Sequence, residues 1–152
     1  MSDPAPILKR LREILAVPGD RVGKARRIAA AIRETGGYRW VGVYDVAPDE
    51  IGVVAWSGPS APAYPRFAVG LGLCGASVRS RTTVVVGDVT RDPRYLTTLG
   101  TTRSEIVAPV LDPASGVVVG LLDVESERVD AFNAEDRRCL EECASALAPL
   151  WG

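Results

Sequence analysis

Ser104-Glu105-Ile106-Val107-Ala108-Pro109-Val110-Leu111 and Val117-Val118-Val119-Gly120-Leu121-Leu122-Asp123-Val124-Glu125-Ser126 are two apolar, β-branched runs parted by Asp112-Pro113-Ala114-Ser115-Gly116. The five intervening residues carry turn chemistry, so 104–126 is expected to form a β-hairpin. Period-two alternation places Val119, Leu121, Asp123 and Glu125 on one face of the return strand and Val118, Leu122 and Val124 on the other. Antiparallel pairing brings Glu105, which opens the first strand, to the Asp123 and Glu125 end of its neighbour. Three acids therefore gather at one end of the hairpin. They fit either a solvated strand end or a site for a cation, whether metal or ligand amine, because packed like charges need a counter-charge or raised pKa values.

Working upstream, 38–46 and 51–56 form a second expected hairpin around Ala47-Pro48-Asp49-Glu50. Trp40, Gly42 and Tyr44 share a face opposite Val41 and Val43. They are either two core aromatics or an aromatic wall with space left by Gly42, a surface suited to a cationic amine. A Pro- and Ala-rich loop spans 58–65, a short strand 66–69, a glycine turn Gly70-Leu71-Gly72-Leu73-Cys74-Gly75, a short helix 76–81 and a buried strand 83–86. Cys74 is thus either a thiol acidified by a nearby helix start or a small residue packed in a tight turn. Residues 87–103 lack a clear element, and loops of that length in compact domains act as lids. Asp88, Asp92, Tyr95 and Thr98 are its candidate functional residues, with Asp92-Pro93-Arg94-Tyr95 supplying a turn.

Two helices precede the strands. The first starts at Asp3-Pro4, presents Ile7, Leu8, Leu11, Ile14 and Leu15 on one stripe and stops at Pro18-Gly19. Asp20 caps the second, with Val22, Ala25, Ala29 and Ile32 inward, and Gly36-Gly37 ends it. Asn133 caps a last helix reaching about residue 150, with Leu140, Cys143, Ala144 and Leu147 inward. The first two helices are basic and the last is acidic, so they are expected to pack together within one chain or across a homodimer.

The 152 residues make one domain, with 47% apolar and 24% charged residues and a net charge of −1, a balance that excludes disorder and a nucleic-acid footprint. No apolar run nears the roughly 20 residues of a membrane span, and the N-terminus lacks a secretory layout, so a cytoplasmic location is expected. Cys74, Cys139 and Cys143 form neither a disulfide framework nor a zinc pattern. The chain has no histidine, which excludes His triads, His general bases and His metal ligands. No cofactor and no metal are expected; the expected partners are a small-molecule ligand and a second copy of the chain.

The order of elements resembles that of a GAF domain over nearly the whole chain. Gly70 to Gly75, Gly87-Asp88-Val89 with Asp92-Pro93-Arg94-Tyr95, and Gly120-Leu121-Leu122-Asp123-Val124 carry the resemblance. It implies a single α+β domain over 1–152: helices in 1–36, a central antiparallel sheet in 38–126 with the lid at 87–103, and a helix at 133–150. The terminal helices would cover one face of the sheet, and the short helix and lid the other. Within that superfamily the chain is similar to the free methionine-(R)-sulfoxide reductases, through Trp40-Val41-Gly42-Val43-Tyr44, Leu73-Cys74-Gly75, Ser104-Glu105-Ile106-Val107-Ala108-Pro109 and Leu122-Asp123-Val124-Glu125-Ser126. This similarity implies ligand-binding roles for Trp40, Tyr44, Glu105, Asp123 and Glu125, the last in place of the usual Asp.

The similarity also implies a departure. That family's attacking cysteine falls at Thr98 and a further family cysteine at Tyr64, which leaves Cys74 as the one candidate catalytic thiol. Sulfoxide reduction needs a thiolate that becomes a sulfenic acid and a second thiol that resolves it. The expectation is a module that binds an amino-acid-like ligand to sense or carry it. The alternatives are a one-cysteine reductase resolved by an external thiol, or a dimerisation scaffold with an empty pocket.

Overall fold

The computed structural model describes residues 3–152. In chain order the elements are α1 (Ala5–Ala16), α2 (Arg21–Gly36), β1 (Trp40–Val46), β2 (Glu50–Ser57), β3 (Arg66–Ala68), α3 (Gly72–Ser80), β4 (Val84–Val86), β5 (Ser104–Leu111), β6 (Val118–Ser126) and α4 (Ala134–Ala146), with 3-10 turns at Val89–Arg91 and Ala148–Trp151. The six strands form one antiparallel sheet in the order β3-β2-β1-β6-β5-β4. The expected central hairpin is β5–β6, and it pairs through β6 with β1 at the middle of the sheet. Among the described residues, no helix is long and apolar enough to cross a membrane.

Alternation along the strands divides the interior into two cores. Val41, Val43, Ala55, Ile106, Ala108, Val110, Leu122 and Val124 meet α1, α2 and α4 on one face. On the other, Trp40, Tyr44, Ile51, Val107 and Leu121 pack with Leu73, Cys74, Val89 and Leu99 from α3 and the lid. The layering is the one expected. The alternation fails at one point, however: Val118 joins the lid-side core, while Val119 packs on the helix side. Register explains the swap. Val110 pairs with Gly120 but Leu111 with Val118, so Val119 is an extra residue in a bulge that inverts the faces before it.

The helices depart from expectation at their ends. Asp20 accepts from the Gly23 amide at 2.6 Å and Gly37 closes α2 at φ 67°, as the sequence suggests, yet Val22 is exposed and Ile28 and Ala31 join Ala25, Ala29 and Ile32 inside. α3 begins at Gly72, four residues early, inside the glycine turn. Gly75 allows this because its α-carbon lies against the backbone of 69–70, where a Cβ would come within 2.6 Å of the Gly70 carbonyl carbon. α4 has the expected cap, a reciprocal Asn133–Asp136 box, but ends at Ala146. Pro149, which has no N–H and crowds the preceding turn, sets a 3-10 turn there instead.

That last turn is anchored at Asp45, which pairs with Arg21 and accepts from the Trp151 indole N–H at 2.8 Å. Arg21 also donates to the Leu150 carbonyl at 3.0 Å and covers the Trp151 ring. Of the ion pairs formed by α1 and α2 among the described residues, Arg10–Glu34 and Arg21–Asp45, neither reaches α4. α1 does pack beside α4, as expected, and they meet through the apolar core.

Gly42 sits between Trp40 and Tyr44, and the space above it holds the Trp40 ring rather than a vacancy for a ligand. A methyl group there would collide with that ring, which Gly58 confines on its other side and the Ser60 carbonyl holds through the indole N–H at 3.0 Å. Gly42→Ala should therefore destabilise the protein by about 1–3 kcal/mol, the usual range for overpacking. Urea unfolding with an unchanged midpoint would show that the ring has room to move.

Candidate functional site

Glu105 and Glu125 face each other directly across β5 and β6, and Val107 faces Asp123 two positions further on. On the other side of β6, Trp40 opposes Glu125 and Gly42 opposes Asp123. This register turns all three acids toward the lid-side core, where their exposures are 3% for Glu105, 1% for Asp123 and 0% for Glu125. The solvated-strand-end alternative is thereby excluded. Burial, with the neighbouring carboxylates second, pushes all three carboxyl groups well above the usual range. Asp123 lies within hydrogen-bonding reach of both glutamates, so a proton held by one of these raised carboxyl groups can be shared with its neighbour. Asp123 Oδ1 and Glu125 Oε2 have no hydrogen-bond partner.

The outer oxygen of Glu125 is held by the lid. Thr102 donates to Oε1 at 2.8 Å, Tyr95 approaches the same atom at 3.5 Å, and the Thr98 hydroxyl also reaches Glu125. Of the four candidate lid residues, Tyr95 and Thr98 are the two with a hydrogen bond to Glu125. Asp88 caps the turn at Val89–Arg91, and Asp92 pairs with Arg94 while its charge adds to the raised pKa of Glu105. Thr102 is the residue that the sequence hid. It lies among threonines and glycines that look mobile, yet it is buried, and only the register of 104–126 puts it beside Glu125.

A small cavity remains between sheet and lid, with Tyr44, Tyr64, Phe67, Leu96, Thr98 and Cys74 around Glu105 and Asp123. Its free volume, about 10 Å³ for the centre of a water molecule, holds one water. A backbone hydrogen bond from Ala63 to the Thr98 carbonyl at 3.0 Å joins the 58–65 loop to the lid beside the cavity. Tyr64, half-exposed, stands beside it. Trp40 does not line the cavity; it backs Tyr44, with ring centroids 6.3 Å apart.

Cys74 does line it, in the first turn of α3, but without the acidification expected near a helix start. It is 5% exposed, and burial followed by Asp123 and Glu105 raises its pKa well above that of a free thiol. A thiolate next to carboxylates in a dry site is opposed twice, and a helix N-terminus does not offset both. Cys139 and Cys143 lie across the sheet in the helix-side core.

Residues 20–149 match the family model of the GAF domain. The chain belongs to the GAF domain family. It is 28% identical over 142 residues to GAF domain-containing protein A of Dictyostelium discoideum, covering 93% of this chain and 87% of that one. Among solved structures, this GAF domain superposes on the free methionine-R-sulfoxide reductase of Neisseria meningitidis in complex with its substrate, with a TM-score of 0.87, 33% identity and coverage of 97% and 87%. The type II free methionine-R-sulfoxide reductase of Thermoplasma acidophilum gives a TM-score of 0.77, 32% identity and coverage of 86% and 94%.

The raised carboxyl pKa values make the unliganded domain sensitive to base. Below the unfolded carboxylate values near pH 4 both states are protonated and the acids cost nothing; as pH rises from there toward the higher folded values, the unfolded chain ionises first and stability falls. Glu125→Gln removes one charge and keeps an acceptor for Thr102. It should raise the melting temperature at pH 7–8 by about 3–8 °C, the equivalent of ~1–2 kcal/mol, and flatten the decline. A lowered melting temperature across pH 5–8 would mean that the lid's hydrogen bonds to the ionised Glu125 outweigh the cost of burying it.

Proposed function

We propose that this GAF domain binds a free amino acid of the methionine sulfoxide class beneath the lid, in a sensing or carrier role without redox turnover of its own. The observation that carries the reading is the set of three buried acids, two of them, Asp123 and Glu125, with an unpartnered oxygen, and no cationic side chain among the cavity residues. An α-ammonium group supplies the missing charge and three donors in one compact head. Tyr44, Phe67 and Leu96 offer apolar surface for the rest of the molecule. The similarity to enzymes that act on free methionine-R-sulfoxide favours that side chain over others. The cavity has room for a single water, so the lid must move for an amino acid to enter.

Turnover is disfavoured by the thiol inventory. By resemblance, the positions of the reductases' other cysteines fall at Thr98 and Tyr64, and both of these line the cavity with Cys74. A hydroxyl has no two-electron redox step to offer, and Cys74 ionises reluctantly.

The similarity to reductases supports a second reading, a one-cysteine enzyme. Cys74 as thiolate would attack the sulfoxide sulfur, the S–O bond would break with proton uptake, and the thioether would leave Cys74 as a sulfenic acid. An external thiol would then form a mixed disulfide with loss of water, and a second would release Cys74. A bound ammonium would lower the Cys74 pKa toward this chemistry.

Calorimetry with free methionine-(R)-sulfoxide should give saturable binding that releases protons, since the ammonium stabilises the ionised acids. Affinity should therefore rise with pH while the ligand amine stays protonated. Glu105→Gln should weaken binding at least tenfold. Undiminished affinity in both Glu105→Gln and Asp123→Asn would remove the acids from the ligand site. A thiol-coupled turnover assay beside it, with activity lost in Cys74→Ser, would favour the enzyme over the carrier.

A further inference from the structure

We propose that the closed pocket also takes a single thiophilic divalent cation of the zinc(II) class, ligated by Cys74 Sγ and one carboxylate oxygen each from Glu105 and Asp123. This goes beyond the amino-acid reading and does not depend on it. The three ligand atoms lie within 4.8 Å of one another, on α3, β5 and β6, in a site where all three side chains are buried. A tetrahedral zinc ion, with Zn–S near 2.3 Å and Zn–O near 2.1 Å, needs its ligand atoms about 3.4–3.7 Å apart. The three atoms therefore need to draw together by at most about an ångström.

Two further observations point to an occupant of this kind. Asp123 Oδ1 is buried at 1% exposure and has no partner, as does Glu125 Oε2 beside it. The cavity's free volume of about 10 Å³ admits one atom-sized ligand. An amino acid requires the lid to open and stay displaced; an ion requires only passage. A thiolate with two carboxylates favours zinc over magnesium or calcium, whose preferred donors are oxygens alone. The fourth position is open for water, and Glu125, fixed by Thr102, supplies an outer carboxylate to orient it.

Binding is a proton exchange with no redox step. The Cys74 S–H bond breaks and the metal–sulfur bond forms, while that proton and any carried by Glu105 or Asp123 pass to the buffer. Metal and ammonium then compete for the same two acids. The metal-filled site masks its own thiol and excludes the amino acid.

Titration of the full chain with cobalt(II), in a phosphine reductant without added thiol, tests this directly. The expected result is a near-ultraviolet thiolate-to-cobalt band saturating at one equivalent and displaced by zinc. Cys74→Ser should abolish the band, Asp123→Asn should weaken binding at least tenfold, and the Cys139→Ala/Cys143→Ala double variant should retain it. Absence of a saturable band, or a band that survives in Cys74→Ser, overturns the proposal. Should Cys74→Ser lose its fold by circular dichroism, alkylation of the unaltered chain decides: zinc must slow modification of Cys74 at least tenfold, and unchanged labelling overturns the site. Calorimetry with methionine-(R)-sulfoxide in chelator separates the two ideas. Amino-acid binding there without a cobalt band removes the metal alone, and a cobalt band without amino-acid binding removes the amino-acid reading alone.

Discussion

Three carboxyl groups buried at one end of the β5–β6 pair, with no cationic side chain among the cavity residues, set the terms for everything around them. Taking carboxylates out of water costs several kcal/mol each, and their mutual repulsion adds to that. Such a cluster survives only because the rest of the domain over-determines it. The two hairpin strands are fixed by the apolar residues on their other face, Ile106, Ala108, Leu122 and Val124, packed under the terminal helices. The acids have no freedom to turn outward without turning these valines, leucines and isoleucines out as well, since side chains alternate along a strand. The helix-side core thus holds the site in a state the site itself would not choose. Stability given up at one cluster and recovered elsewhere is the ordinary trade in functional proteins.

How the remaining polar groups are arranged follows from that constraint. Thr102, Thr98 and Tyr95 gather on Glu125 and leave Glu105 and Asp123, which line the cavity, without cationic company. One acid is committed to holding the lid, and two are available to an occupant. Cys74 is subject to the same field: the charges that attract a cation also keep its proton in place. Whatever positive group enters changes both at once, so binding and thiol ionisation are linked through shared electrostatics rather than through movement of the chain.

Much of this was legible before any coordinates. The alternation in 104–126 located the acid face, the Trp40-Gly42-Tyr44 pattern fell on the matching face of the neighbouring strand, and the caps at Asp20 and Asn133 formed as their side chains dictate. What escaped did so for definite reasons. Val118 and Val119 exchanged faces because a bulge inserts one residue, and hydropathy carries no mark of it. Gly42 seemed to leave room, but the nearest bulky group to fill it was its own neighbour at position 40. The depth of the acids was invisible, since strand periodicity gives the face of a side chain and not the layer that covers that face. Covering is decided by Thr102 and Leu99, in a lid without periodicity. Cys74 with Glu105 and Asp123 is a constellation drawn from positions 31 and 18 residues apart, which no local spacing reveals.

The bond between the Ala63 amide and the Thr98 carbonyl has a kinetic meaning as well as a geometric one. It joins two loops that otherwise flank the mouth independently, and the first of them is moored to the sheet by the Trp40 indole at Ser60. The lid therefore has to swing away from a fixed jamb. The cavity as it stands has room for one water and not for an amino acid. If the amino acid binds there as proposed, and only after the lid has moved, its capture rate would level off at high concentration at a ceiling set by that movement. The domain keeps its own clock.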